Sequence, residues 1–299
     1  GGYIKRTNPD EFKRQKRGGV GVVDLDTKEE DFVTNFLTAS THDDLLFFTD
    51  KGKAYQIKMY DLPEGKRATR GKSIMNFISL GDDEKVTSIL AMPKSAKDIV
   101  GSLVMVTAKG TAKKVSAKSF TDVRSSGIIA IRLAPGDRLV SVQTVEKGDD
   151  VTIVTKDGQS IRFKEAGLRE MGRSAGGVRG IKLGAGDMVI GAHTIKKDAQ
   201  NAHLLVISEH GYGKRTELDE YKVQGRGGSG ILTSKVTTKT GDVIASQVVT
   251  GQEEVVAISK KSQVVRVDLK EIPVLGRQTQ GVRIMKLREG DSLASLICL

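Results

Sequence analysis

The 299-residue chain repeats itself about every fifty residues, and this period limits its fold more than any other feature. The clearest copy is Val151-Thr-Ile-Val-Thr-Lys-Asp-Gly-Gln-Ser-Ile-Arg-Phe163, two β-branched runs flanking Asp157-Gly158, a strong hairpin signal. Equivalent pairs of runs start at Leu45, Leu103, Leu204 and Val255, and the second half of one opens the chain at Gly2-Tyr-Ile-Lys-Arg-Thr7. The turn positions Gly2, Gly52, Gly110, Gly158, Gly211 and Ser262 lie 50, 58, 48, 53 and 51 residues apart. After each hairpin come a loop containing an arginine and a glycine, a short β-rich run such as Val178–Leu183, and in most units a Gly-Asp turn before a last strand. Each unit therefore reads as four short strands, and no stretch has a helical period.

A lone four-stranded sheet of this length buries too little to stand by itself, whereas stacking between two neighbours covers both of its faces. The expectation is a single all-β domain over residues 1–299, a propeller-like ring of six four-stranded blades. Approximate blade limits are 1–44, 45–102, 103–150, 151–203, 204–254 and 255–299. The half-hairpin at Gly2 predicts a seam between the first and last units, with the missing strand supplied from upstream.

Charge narrows the function. Forty-eight Lys and Arg against 37 Asp and Glu give a net charge of +11 and favour an acidic partner, nucleic acid before an anionic membrane. No apolar run approaches the ~18 residues of a membrane span. The single cysteine, Cys298, excludes an internal disulfide framework and fits a reducing cytoplasm; with the scattered histidines it offers no zinc-ligand spacing, so no metal is expected. The absence of Trp and the scarcity of aromatics argue against single-strand stacking platforms and for contact with a duplex backbone.

Motifs for chemistry fail on inspection. Gly65 to Ser73 resembles a phosphate loop, but five residues separate its glycines where four are required. Gly225–Gly230 matches G-x-G-x-x-G, but Ile231–Val236 after it reads as strand where a dinucleotide site needs a helix. The acid pairs, Asp149-Asp150 among them, read as solvated turn charges. No catalytic residue and no cofactor are expected.

Two sets of cations recur instead. Arg6, Lys114, Arg162, Arg215 and Arg266 stand four residues past their hairpin turns, with Gln56 the exception. On a closed ring they would form a track for duplex phosphates, or each would pair with an acid of the neighbouring unit. The loop arginines Arg17, Arg67, Arg124, Arg173, Arg226 and Arg277, with Arg70 beside Arg67, either meet DNA or fix their own turns through backbone carbonyls or the Gly-Asp carboxylate. Charge is densest in the first of these loops: Lys13, Arg14, Lys16 and Arg17 help bring Tyr3–Gly21 to a net +4.

That loop, Gln15-Lys16-Arg17-Gly18-Gly19-Val20-Gly21, matches five of seven positions of QRRGGKG, the box of the C-terminal domain of the DNA gyrase A subunit. Gly2–Lys5, Gly177–Ile181, Gly211–Thr216 and Gly276–Val282 extend the resemblance along essentially the full chain. The resemblance implies a six-bladed β-pinwheel whose blades exchange strands and which wraps duplex DNA with positive handedness, supporting ATP-driven negative supercoiling. It implies that Gln15, Lys16, Arg17, Gly18, Gly19 and Gly21 contact DNA and join the first blade to the last. Lys16 loses the bidentate geometry of arginine and Val20 removes a cation, so the box is weakened. The implied partners are duplex DNA, the gyrase B subunit, and the remainder of the gyrase A subunit, with the isolated domain monomeric and unable to cut DNA. The implied location is the bacterial cytoplasm, at the nucleoid. Topoisomerase IV offers a related C-terminal domain in its own breakage subunit, and a protein-interaction propeller is the alternative from another class.

Overall fold

The computed structural model describes residues 2–8, 35, 37, 39–66, 69–261 and 263–299. Apart from β1 (Tyr3–Ile4), the strands fall into sets of four per unit. The second unit supplies β2 (Asp44–Thr49), β3 (Lys53–Lys58), β4 (Lys72–Ser73) and β5 (Val86–Met92). The third supplies β6 (Ser102–Thr107), β7 (Thr111–Ser116), β8 (Ile128–Ile129) and β9 (Leu139–Val145), and the fourth β10 (Asp150–Thr155), β11 (Gln159–Lys164), β12 (Val178–Arg179) and β13 (Val189–Ile195). The fifth gives β14 (His203–Ser208), β15 (Tyr212–Glu217), β16 (Ile231–Leu232) and β17 (Val243–Val249); the sixth gives β18 (Glu254–Ser259), β19 (Val264–Asp268), β20 (Val282–Arg283) and β21 (Leu293–Cys298).

These strands do not stay within their units. The sheets run β5-β2-β3-β8, β9-β6-β7-β12, β13-β10-β11-β16 and β17-β14-β15-β20, followed by the three-stranded β21-β18-β19 and the pair β1-β4. Every pairing is antiparallel, and each two-residue outer strand belongs to the unit after the one it completes. The fold is an all-β, propeller-like ring of small sheets. Among the described residues it has five blades of three or four strands and one two-stranded ladder, where the sequence predicts six blades of four. The remainder of the first unit falls on residues outside those described.

Hairpins and exchange both depend on glycine. Gly158 holds φ +83° in its tight turn. Gly177 holds φ +90° where the chain crosses to the preceding sheet, and a Cβ there would lie 2.6 Å from the Ala112 carbonyl oxygen.

The core lies between blades. Leu46 and Phe48 of β2 pack with Leu103 and Met105 of β6, and Phe48 meets Phe120 edge-on at 5.5 Å. Val104 and Val106 likewise pack with Val151 and Ile153. The inner strands β5, β9, β13, β17 and β21 neighbour one another in that order. Polar side chains join several of them: the Ser141 hydroxyl donates to the Ala192 carbonyl (2.9 Å), and His193 Nε2 lies 2.8 Å from the Ser246 hydroxyl. Burial pushes the His193 pKa down to about 4, so this ring is neutral.

Candidate nucleic-acid interface

Four of the five hairpin-strand cations sit at joints between units. A parallel bridge ties the backbone of Arg6, Lys114, Arg162 and Arg215 to Glu64, Glu170, Val223 and Val274 of the next unit. Their side chains then reach main-chain carbonyls of that unit's 3-10 turn. Arg6 donates to Leu62 (2.8 Å), Lys114 to Glu165 (3.2 Å), Arg162 to Leu218 (2.9 Å) and Arg215 to Ile272 (2.8 Å). Lys114 also pairs with the Glu165 carboxylate at 2.6 Å, and Arg162 with Asp150 at 2.8 Å. The fifth, Arg266, is exposed and stands 3.9 Å from Glu254 of its own hairpin.

The acids correct one expectation. Asp149 and Asp150 are buried, 1% and 4% exposed, rather than solvated turn charges. Asp150 takes Arg162 and Lys164, and Asp149 accepts from the Lys197 N–H at 3.1 Å. Buried carboxylates need such partners, and the hairpin cations supply one of them.

Three of the loop arginines bond backbone carbonyls, each reaching a neighbouring strand rather than its own turn. Arg173 reaches Ile129 of β8 (3.4 Å), Arg226 reaches Arg179 of β12, and Arg277 reaches Leu232 of β16 (2.9 Å). Arg124 is exposed, and Arg70 lies 3.7 Å from the centre of the Tyr3 ring. Gln15, Lys16, Arg17, Gly18, Gly19 and Gly21 lie outside the described residues, as do Lys13, Arg14 and Arg67.

A third set of cations was missed. Arg132, Lys182, Lys235 and Lys286 each stand four residues beyond the first residue of β8, β12, β16 and β20. All four are exposed, and among the described residues their side chains make no hydrogen bond or ion pair. Three are fixed by their own N–H groups to the arginine loop of the following unit: Arg132 to the Ala175 carbonyl (3.2 Å), Lys182 to Gly228 (2.9 Å) and Lys235 to Thr279 (3.1 Å). In the second unit Ser79 makes this bond, to Ser125 at 3.2 Å, so the cation is absent there. The spacing of 50, 53 and 51 residues was legible in the repeat, but the runs containing it read as plain strand.

Beside Lys182 lies a shallow groove of about 400 Å³, lined by Lys109, Gly110, Thr111, Gly177, Val178, Arg179, Ile181, Lys182 and Leu183. Three cations and no acid border it. Such a lining suits a phosphate-bearing chain. No metal-binding cluster occurs among the described residues, and no helix among them is long and apolar enough to cross a membrane.

Exchanged strands, a ring of small sheets and cations freed along one repeat position define a β-propeller-class repeat domain with a basic perimeter. A family model described as "DNA gyrase C-terminal domain, beta-propeller" matches in six segments, residues 1–40, 43–91, 101–146, 149–196, 202–250 and 253–299. The chain belongs to this family. It is 40% identical over 297 residues to the DNA gyrase A subunit of Mycolicibacterium smegmatis, covering 99% of this chain and 35% of the relative. Against the gyrase A protein of Haloquadratum walsbyi the identity is 39%, covering 98% and 34%. The chain thus spans about a third of the length of these curated relatives. A solved gyrase A C-terminal domain superposes with a TM-score of 0.77 at 28% identity, covering 99% of this chain and 96% of that one. A topoisomerase IV C-terminal domain reaches 0.81 at 23% identity, covering 100% and 90%, a likeness of fold.

Proposed function

We propose that the domain binds duplex DNA without regard to sequence and wraps it with positive handedness around its perimeter, serving an ATP-dependent type IIA topoisomerase. The observation that carries this reading is the row Arg132, Lys182, Lys235 and Lys286: exposed cations without protein partners among the described residues, one per unit, at a fixed place in four consecutive units. A periodic row of unpaired cations neutralises phosphates at regular intervals and ignores base edges. On this reading the hairpin cations Arg6, Lys114, Arg162 and Arg215 maintain the curvature of the rim, and the loop arginines and Arg266 line it. The box residues Gln15, Lys16 and Arg17 would add the strongest contact.

The same reading completes the ring. Gly21-Val22-Val23 stands in the register of Gly281-Val282-Arg283, so the first unit would supply the fourth strand of the β21-β18-β19 sheet and make six blades. The domain would act as a monomer joined to the rest of the gyrase A subunit. Through that connection it would meet the gyrase B subunit, in the bacterial cytoplasm at the nucleoid. It would carry no cofactor and no cleavage chemistry of its own. The test is to ligate nicked plasmid with the domain bound and measure the linking number. An upward shift is expected at low salt. No shift there overturns wrapping, and a duplex affinity insensitive to salt moves the domain to a protein-interaction role.

A further inference from the structure

Three residues past the hairpin turn, the units alternate. Lys5, Lys113 and Lys214 occupy this position in units 1, 3 and 5; Tyr55, Ile161 and Val265 occupy it in units 2, 4 and 6. Lys113 and Lys214 are wholly buried, 0% exposed, and among the described residues neither ammonium has a carboxylate bonded to it. Lys113 Nζ instead donates among the carbonyls of Ala130 (2.6 Å), Gly172 (3.1 Å), Arg173 (2.6 Å) and Ala175 (3.2 Å). Lys214 Nζ meets the carbonyls of Gly276 and Arg277, both at 2.7 Å, and the Thr279 hydroxyl at 3.1 Å. Lys5 repeats the arrangement on Lys66 (2.9 Å) and Thr69 (2.7 Å). The charged groups facing these ammoniums are Arg173 for Lys113, and Glu220 with Arg277 for Lys214.

A buried ammonium persists only where several strong acceptors replace its water, so each cage fixes the loop that supplies them. These loops are the ones that hold the rim cations. Ala175, caged by Lys113, accepts the N–H of Arg132; Thr279, caged by Lys214, accepts the N–H of Lys235. Lys113 also holds Ala130, two residues before Arg132. Among the described residues, the loops of the third and fifth units lack this device: Gly127 rests on the Tyr55 ring and Gly228 near Ile161.

We propose that Lys113 and Lys214 are positioning residues for the rim, each holding the exposed cation of its own unit, Arg132 or Lys235, through the arginine loop of the next. The proposal rests on the reading of the rim as a DNA surface. The perimeter then has two classes of contact, caged in units 3 and 5 and apolar-seated in unit 4, where Lys182 leans on the loop beside Ile161.

The test is a set of double-mutant cycles on the 299-residue chain, read by duplex affinity against salt. Lys113→Ile borrows the residue that the fourth unit already uses. It is expected to flatten the salt slope by about 0.9, the value of one phosphate contact, although it touches no phosphate. Combined with Arg132→Gln it should lose less than the product of the single losses, by about three-fold or more, whereas combined with Lys286→Gln the losses should multiply. Lys214→Ile should couple to Lys235→Gln in the same way. Multiplicative losses in every pair, or equal coupling to Lys286, overturn the proposal. If Arg132→Gln itself leaves affinity unchanged, the DNA reading of the rim fails. The cage is then judged by amide exchange of residues 172–176 without DNA, which Lys113→Ile should speed about ten-fold while sparing 276–280. Should the variants not fold, the parent decides: on raising pH, the Lys113 side-chain resonance and the 172–175 amides must titrate with one midpoint, and separate midpoints refute the cage.

Discussion

Neutralising the rim row is the sharpest test of which cations serve the proposed DNA surface. Arg132, Lys182, Lys235 and Lys286 changed together to Gln remove four exposed positive charges whose side chains make no hydrogen bond or ion pair among the described residues. If each meets one phosphate, each contributes about 0.9 to the slope of log affinity against log salt, so the slope should flatten by about 3.6. Between 50 and 200 mM salt, about 0.6 of a decade, the parent should lose about a hundred-fold more affinity than the variant. Stability should hardly move, because exposed unpartnered side chains change it by about 0.5 kcal/mol or less. The contrasting variant is Arg162→Gln with Arg215→Gln. These side chains donate to Leu218 and Ile272, and Arg162 also compensates the buried Asp150. Hydrogen bonds from charged groups contribute about 1.5–3 kcal/mol each, so the urea midpoint should fall clearly while the salt slope stays near that of the parent. Fluorescence anisotropy with a labelled duplex across a salt series, beside urea unfolding, reads both quantities. A flattened slope for the Arg162 and Arg215 pair with an unchanged slope for the rim variant would refute the division.

Two further outcomes concern pH. Burial pushes both Lys113 and Lys214 down to about 8 from an ordinary 10.5, so below pH 8 they are charged in both folded and unfolded chains, at full cost. Between pH 8 and 10 the folded chain releases these protons first, so the urea midpoint should rise from pH 7.5 to 9.5 but not in the double Lys→Ile variant, where the buried Cys298 thiol, pushed up to about 12, works the other way above pH 9; an equal rise in both would contradict the assignment. Above pH 10 the gain reverses, because burial and the Glu84 carboxylate hold the Tyr55 phenol protonated while the unfolded chain ionises. His193 acts on the acid side: with its pKa lowered by burial to about 4, stability should fall as pH drops from 6.5 to 4, and His193→Gln should remove that part of the acid sensitivity.

The hairpins were legible because their instructions are local. Asp157-Gly158 sets a turn, and Val151–Val154 against Ser160–Phe163 sets a register that the structure repeats pair by pair. The exchange was not legible in the same way. Val178 and Arg179 have two residues of strand, too few to show a period, and they join Ala112 and Thr111 of the preceding unit. What sends them there is the positive φ of Gly177 and the contact of its backbone with Ala112, both long-range facts. A count of strands per unit therefore comes out at four, whereas the composition of each sheet does not follow from it.

The cations show the same limit more sharply. Lys113 and Lys114 are adjacent, and only Lys114 stands out in the repeat, yet successive strand residues face opposite ways. One ammonium is walled into carbonyls between blades and the other is paired to Glu165 at the joint. Arg162 and Lys182 both follow β-branched residues, and their roles part because a parallel bridge brings Val223 and its turn within reach of Arg162. Lys182 has its backbone tied and its side chain left in water. The net charge of +11 thus overstates what a partner can use at the hairpins and understates the order of what remains. Cations buried or bonded within the ring hold its units in register, and that register spaces Arg132, Lys182, Lys235 and Lys286 at one per unit over the last four units. On the proposed reading, a basic protein with the same composition but no such register would still attract DNA and would have no reason to bend it.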